Sequence, residues 1–262
     1  MSLSGLPFDD IRELISNLPA GYDDIEEIAA KRSAVLSEKF GFGGKEAMLC
    51  NWLSLHSGKS PNVSRPMVAL FAGTHKASAG VLGLGEATLE TVTRMAAGGA
   101  PINQVCATHD IGLKVFDLAL QYPVEDITSE DAMDEKGSAA TIGFGMEAIA
   151  GGVDVLGLAA FGQGSEIANA AILSKMTDKD SANFLTHFPK EISIEMTTKA
   201  NEAAGRASGD PLEILRRLGG REHSALAGAI LAARTNHVPV VLDGMSAIAV
   251  ACILNTIDGS IL

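Results

Sequence analysis

The sequence predicts an α/β protein built on a parallel sheet. Apolar runs of strand length alternate with longer stretches of helical period along residues 66–262. Those runs are continuous, as in strands covered on both faces. Three of them end in turn residues directly before a helical stretch.

Residues 9–36 read as two helices, with apolar positions Ile11, Leu14, Ile15 and Leu18, then Ile25, Ile28, Ala29 and Val35. Pro19-Ala20-Gly21 breaks them. FGFGGK (40–45) is a glycine-rich connection, 46–57 a further helix and 58–66 a loop. Residues 1–65 are therefore expected to form a helical lobe against an α/β domain at 66–262. In that domain MVALFAG (67–73), LKVFDLAL (113–120), VDVLGLAAFG (153–162) and VPVVLDG (238–244) read as strands. Helical stretches fall near 86–97, 102–109 and 134–150, after Ser165, and at 189–207, 210–220, 222–234 and 246–257. The helix at 210 has Asp210 as N-cap, Pro211 in its first turn and a glycine stop.

Composition excludes several classes. A net charge of -12, from 32 acidic and 20 basic residues, disfavours a nucleic-acid partner. Cys50, Cys106 and Cys252 are odd in number and widely spaced, so they read as core thiols of a cytosolic protein. The six histidines form no H-x-x-x-H pair, and no metal site is expected. The N-terminus shows no basic and apolar leader pattern. The longest apolar stretch (238–254) is interrupted by Asp243 and Gly244, so it reads as strand then helix and no membrane partner is expected.

Ligands of parallel sheets sit beyond the carboxyl ends of the strands. Three such ends carry turn residues: Ala72-Gly73-Thr74-His75, Gly162-Gln163-Gly164-Ser165 and Asp243-Gly244-Met245-Ser246. Each precedes a helix start, where backbone N–H groups favour an anion. His75 is a candidate ligand contact or base. Asp243, closing an apolar strand, is expected to be buried near the sheet edge, as a hydrogen-bonded organiser or a ligand contact. The alternatives fail on spacing. Gly80, Gly83 and Gly85 carry the dinucleotide glycines in reverse order and follow no strand directly, no phosphate-loop motif occurs, and Ser165 has no G-x-S-x-G context.

Several stretches together resemble one family, nicotinate-nucleotide–dimethylbenzimidazole phosphoribosyltransferase. They are RPMVALFAGTHKAS (65–78), TLETVTRMAAGGAPIN (88–103) and, most closely, DPLEILRRLGGREHSALAGAILAARTNHVPVVLDG (210–244). The resemblance runs from about residue 8 to the C-terminus. It implies a Rossmann-like parallel sheet with helices on both faces, a small helical domain, and a cytoplasmic homodimer. It also implies transfer of phosphoribose from nicotinate mononucleotide to a benzimidazole-type base, giving α-ribazole 5′-phosphate and nicotinate in cobalamin lower-ligand synthesis. The leaving nicotinate departs from a pyridinium and needs no general acid. A base, a phosphate cradle and a flat apolar slot suffice, with no metal or redox cofactor. The substrate-binding residues it implies are His75, Thr91, Gly98, Gly99, Gly162, Gly164, Ser165, Lys199, Asp243 and Gly244.

The chain also departs from the family pattern. The motif after the third strand, G-E-M-G-I-G-N-T-T in the family, is Ala159-Ala160-Phe161-Gly162-Gln163-Gly164-Ser165-Glu166-Ile167 here. Glu166 brings negative charge to the place where the resemblance puts a phosphate. The N-terminal glycine motif is reduced to Gly41, Gly44 and Lys45, and Thr74 and Lys76 flank His75 in place of an acid or amide and a glycine. The segment that bears the family's catalytic glutamate would lie beyond Leu262; within the chain Glu86 and Glu90 are the weak candidates for a base. The alternative expectation is a paralogue that binds a nucleotide or aromatic base without turnover.

Overall fold

Strand β1 (Pro66–Thr74) is buried at every position from Ala69 to Gly73. Its odd positions, Ala69 and Phe71, enter the main apolar core, while Leu70 and Ala72 are buried against the opposite side. Strand side chains alternate between faces, so burial of both sets requires covering layers on both sides. In the computed structural model, which describes residues 5–20, 25–41, 43–78, 81 and 88–262, β1 lies inside a four-stranded parallel sheet. Its partners are β2 (Gly112–Asp117), β3 (Val155–Gln163) and β4 (Val240–Asp243), in the order β2-β1-β3-β4.

The helices are α1 (Phe8–Ser16), α2 (Ile25–Phe40), α3 (Gly44–Ser57), α4 (Thr88–Ala96), α5 (Pro101–Thr108), α6 (Glu135–Gly145), α7 (Ser165–Thr177), α8 (Lys190–Arg206), α9 (Pro211–Leu218), α10 (Arg221–Thr235) and α11 (Gly244–Ile257). Asp210 caps α9 by accepting the Glu213 N–H at 3.0 Å. α10 is buried at every residue from Glu222 to Ala233. Its small residues let it lie across β1 and β3 while α6 and α11 pack on it. α4 and α5 form the crossover from β1 to β2. Phe8, Ile11 and Ile15 of α1 belong to the main core, whereas α2 and α3 pack chiefly on each other. The free thiols are Cys106, buried, and Cys50 and Cys252, half-buried.

One expectation is corrected. Asp243 is exposed, not buried, because β4 is an edge strand whose residues alternate between half-buried and exposed. The register also sets β4 low. Asp243 pairs with Ala159, whereas Thr74 of β1 pairs with Gln163 at the end of β3. Four residues of strand, about 13 Å, separate those levels.

Candidate functional site

The strand order reverses direction at β1. The chain passes from β1 outward to β2, then returns to place β3 on the other side of β1. Ligands of doubly wound sheets bind where such a reversal leaves a crevice at the strand ends. Here that end of the sheet carries His75 and Gly162-Gln163-Gly164-Ser165, with His75, Gly164 and Ser165 buried. Gly73 pairs with Gly162, Thr74 with Gln163, and the His75 N–H donates to Gln163 O at 3.1 Å. Gly164 turns the chain into α7 with φ +91, and a Cβ there would stand 2.9 Å from His75 Cβ. Glycine alone meets both demands. The Gln163 N–H donates to Thr88 Oγ1 at 2.9 Å, which pins the start of α4 to the crest.

Beneath the crest runs a buried hydrogen-bond chain. His75 Nε2 meets Glu222 Oε1 at 2.5 Å, both side chains wholly enclosed. Glu222 is the second residue of α10, and the unpaired N–H groups of a helix N-terminus favour its charge. A Cβ on Gly73 would collide with the Glu222 carboxylate, so β1 approaches α10 this closely only through glycine. His223 Nδ1 accepts the Gly220 N–H at 2.9 Å and Nε2 meets Asn169 Oδ1 at 2.7 Å, while Asn169 Nδ2 donates to Ser246 Oγ at 3.0 Å. With Nδ1 an acceptor, the ring proton of His223 sits on Nε2. Glu222 Oε1, though 3.1 Å from that Nδ1, then takes its proton from His75. The chain joins the end of β1 to the first turns of α10 and α11 through α7. Burial pushes the Glu222 carboxyl up, but the charge and hydrogen bond of His75 act against burial, and the carboxyl lies below the usual carboxylate range.

His75 Nδ1, Glu222 Oε2 and Glu166 Oε2 are buried without a hydrogen-bond partner. Burial also pushes the Glu166 carboxyl up, against the Glu166 and Gly164 N–H groups and His75, which favour its charge. His75, Glu222 and His223 each offer a ligand atom within 4.8 Å of the others, a spacing compatible with a metal ion. Their hydrogen bonds oppose that use. Both His223 nitrogens are engaged, and the His75–Glu222 contact leaves no space for an ion between those atoms.

The ends of β1 and β3 bring together His75, Gly162, Gly164, Ser165 and Lys199. Ser165 is buried and spends its hydroxyl proton on Gly162 O at 2.8 Å. Lys199 reaches in from α8, donating to Ala77 O at 2.8 Å, two residues beyond His75. Thr91 is half-buried on α4, one turn from Thr88. Gly98 and Gly99 are exposed at the far end of α4, about 13 Å of helix from its crest end. Asp243 and Gly244 are exposed below the crest. Glu90 is exposed and paired with Arg94 at 2.8 Å on the surface of α4, and Glu86 lies outside the described residues. Glu222, His223 and Asn169 escaped the sequence reading, in which Ser246 figures only as a turn residue. The available signal was the pair Glu222-His223 near the start of a helix whose run from Ala225 to Ala233 is only alanine, leucine, isoleucine and glycine. A separate cavity of about 380 Å³, away from the crest, lies between Trp52 and His56 of α3, Arg234 of α10 and the C-terminal residues.

Comparison with known proteins agrees with this architecture. The family model DBI_PRT, described as phosphoribosyltransferase, matches residues 23–262. A nicotinate-nucleotide–dimethylbenzimidazole phosphoribosyltransferase from Sinorhizobium sp is 47% identical over 275 residues, covering 100% of this chain and 80% of the relative. The enzyme of that name from Rhizobium meliloti (strain 1021) is 46% identical over 267 residues, covering 97% of this chain and 78% of its own. Among solved structures, CobT from Thermus thermophilus superposes with a TM-score of 0.76 at 22% identity, over 90% of this chain and 80% of that one, and so supports the fold. The chain, with its parallel sheet and glycine-turned crest, belongs to the phosphoribosyltransferase family.

Proposed function

We propose that this chain transfers phosphoribose from nicotinate mononucleotide to 5,6-dimethylbenzimidazole, forming α-ribazole 5′-phosphate and nicotinate in the synthesis of the cobalamin lower ligand. The observation that carries this proposal is identity of 46–47%, over nearly the whole chain, to relatives that bear that enzyme's name. The same identity favours turnover over a binding-only paralogue.

The chemistry asks little of the protein. A benzimidazole nitrogen attacks the anomeric carbon from the face opposite nicotinate. The bond to the pyridinium nitrogen breaks, and its electron pair leaves with nicotinate. The proton on the other benzimidazole nitrogen passes to a base. Positioning supplies much of such a rate enhancement, and the crest is a rigid frame for it. The α7 amides and the Lys199 charge suit a phosphate, and His75 lies buried beneath the same strand ends. Substrate roles for Thr91, Gly98, Gly99, Asp243 and Gly244 rest on the family resemblance alone. So does the assignment as a cytoplasmic homodimer; sedimentation velocity tests the dimer.

The test is incubation of the purified protein with nicotinate mononucleotide and dimethylbenzimidazole, with chromatographic detection of α-ribazole phosphate. Product formation that saturates in both substrates is expected. Absence of product at enzyme concentrations comparable to substrate would refute turnover.

A further inference from the structure

α10 carries polar chemistry at both ends. Glu222 stands beneath the crest, and Arg234 follows near the other end, about 18 Å along the helix. Arg234 lines the cavity of about 380 Å³, a volume within the range of small-molecule sites, ~300–1,000 Å³. Other walls are Trp52 and His56 of α3, whose rings lie 5.7 Å apart, and the apolar Leu242 of β4. The guanidinium is fixed without being neutralised. Its Nε–H donates to Ser260 O and its Nη2–H to Pro19 O, each at 2.8 Å. Both acceptors are uncharged carbonyls, and Nη1 has no partner among the described residues. Asp258, a carboxylate on which Arg234 acts, does not line the cavity and accepts the Ser260 N–H at 2.8 Å. Among the described residues no acidic side chain lines the cavity, in a chain whose net charge is -12. Burial, and then the charge of Arg234, lowers the pKa of His56 and of His237, which also line it. Near neutrality both imidazoles are therefore uncharged, and the charge presented by the lining side chains is positive.

We propose that this cavity is a ligand site distinct from the crest, and that it takes a small planar aromatic carboxylate, with the ring against Trp52 and the carboxylate on Arg234 Nη1. The apolar walls ask for a ring, which removes them from water. The fixed cation asks for an anion, because hydrogen bonds between two charged groups are stronger than those to a neutral acceptor. A neutral amide of the same shape meets only the first demand, and a short aliphatic acid only the second. The site does not rest on the phosphoribosyl transfer proposed for the crest.

Trp52 is the single tryptophan of the chain, so its fluorescence reports on this cavity. The full chain is titrated with benzoate, benzamide and acetate. Benzoate is used rather than nicotinate, which the proposed reaction releases at the crest. Benzoate is expected to change the emission saturably, with half-saturation at about 1 mM or below. Benzamide should bind at least about tenfold more weakly, and acetate should leave the emission unchanged. Arg234→Gln should bring benzoate down to the level of benzamide. That variant also loses the bonds to Ser260 and Pro19, so Leu242→Phe is titrated beside it. Phenylalanine there fills the cavity from β4, leaves Arg234 in place and should weaken both aromatic ligands. A linear response to benzoate without saturation, equal binding of benzoate and benzamide by wild type, or saturation by acetate in the same range overturns the proposal. Benzoate binding unchanged in folded Arg234→Gln, or in Leu242→Phe, also overturns it. Each of these results leaves the transferase reading of the crest standing.

Discussion

Replacing Glu222 by alanine removes the centre of the buried chain that joins β1 to α10. The side chain is wholly enclosed, 2.5 Å from His75 Nε2. Breaking one side of a buried pair costs about 3–5 kcal/mol, because the remaining partner is left in a low-dielectric site. For a protein of this length each kcal/mol lowers the melting temperature by roughly 2 °C, so a fall of about 6–10 °C is expected. Thermal unfolding followed by circular dichroism measures it. A double-mutant cycle with His75→Ala isolates the pair. Glu222→Ala should cost at least ~1 kcal/mol less once His75 is gone, since no imidazole is then stranded. The pH dependence has a definite sign. The folded Glu222 carboxyl lies below its ordinary value of 4.5. Its stabilising contribution is present above that value and is lost as pH falls through the folded one. The gap between wild type and Glu222→Ala should therefore be widest near neutrality and narrow in acid. Additive single mutants, or a gap that widens on acidification, would refute the electrostatic role.

Gly164→Ala forces a side chain into positive φ and presses Cβ to 2.9 Å from His75 Cβ. A loss of about 2 kcal/mol or more is expected in denaturant titrations, together with weaker ligand binding. Asp210→Ala removes the α9 cap at 3.0 Å and an ion pair with Arg12 at 2.6 Å. The cap contributes about 1 kcal/mol and the half-exposed pair at most ~0.5 kcal/mol, so the urea midpoint should fall accordingly. Lys199→Ala should weaken nicotinate mononucleotide more than free dimethylbenzimidazole in calorimetric titrations, and equal weakening of both would remove the phosphate role.

Much of the architecture was legible because it is written in local rules. The continuous apolar run ending at Gly73 gave a central strand, and Asp210-Pro211 with Gly219-Gly220 bounded α9 within a residue. The misjudged Asp243 shows where local rules stop. An apolar run reads the same in a central strand and at an edge, and only the strand order shows that β4 has a neighbour on one side. Gly98 and Gly99 raise the same issue from another direction. Their likeness to a family motif is local, whereas their distance from the crest depends on how far α4 carries them.

The site divides along the same line. Gly162, Gly164 and Ser165 are adjacent in the chain, so their turn could be read from the sequence. His75 and Glu222 stand 147 residues apart, and Lys199 reaches Ala77 across 122. What the sequence determined by itself was the elements, their order and the family, because period, turn chemistry and motif wording act between near neighbours. What the tertiary structure decided was the buried pairing of His75 with Glu222 and the reach of Lys199 to Ala77. Those depend on which helix end meets which strand end, a choice settled by packing around the whole core.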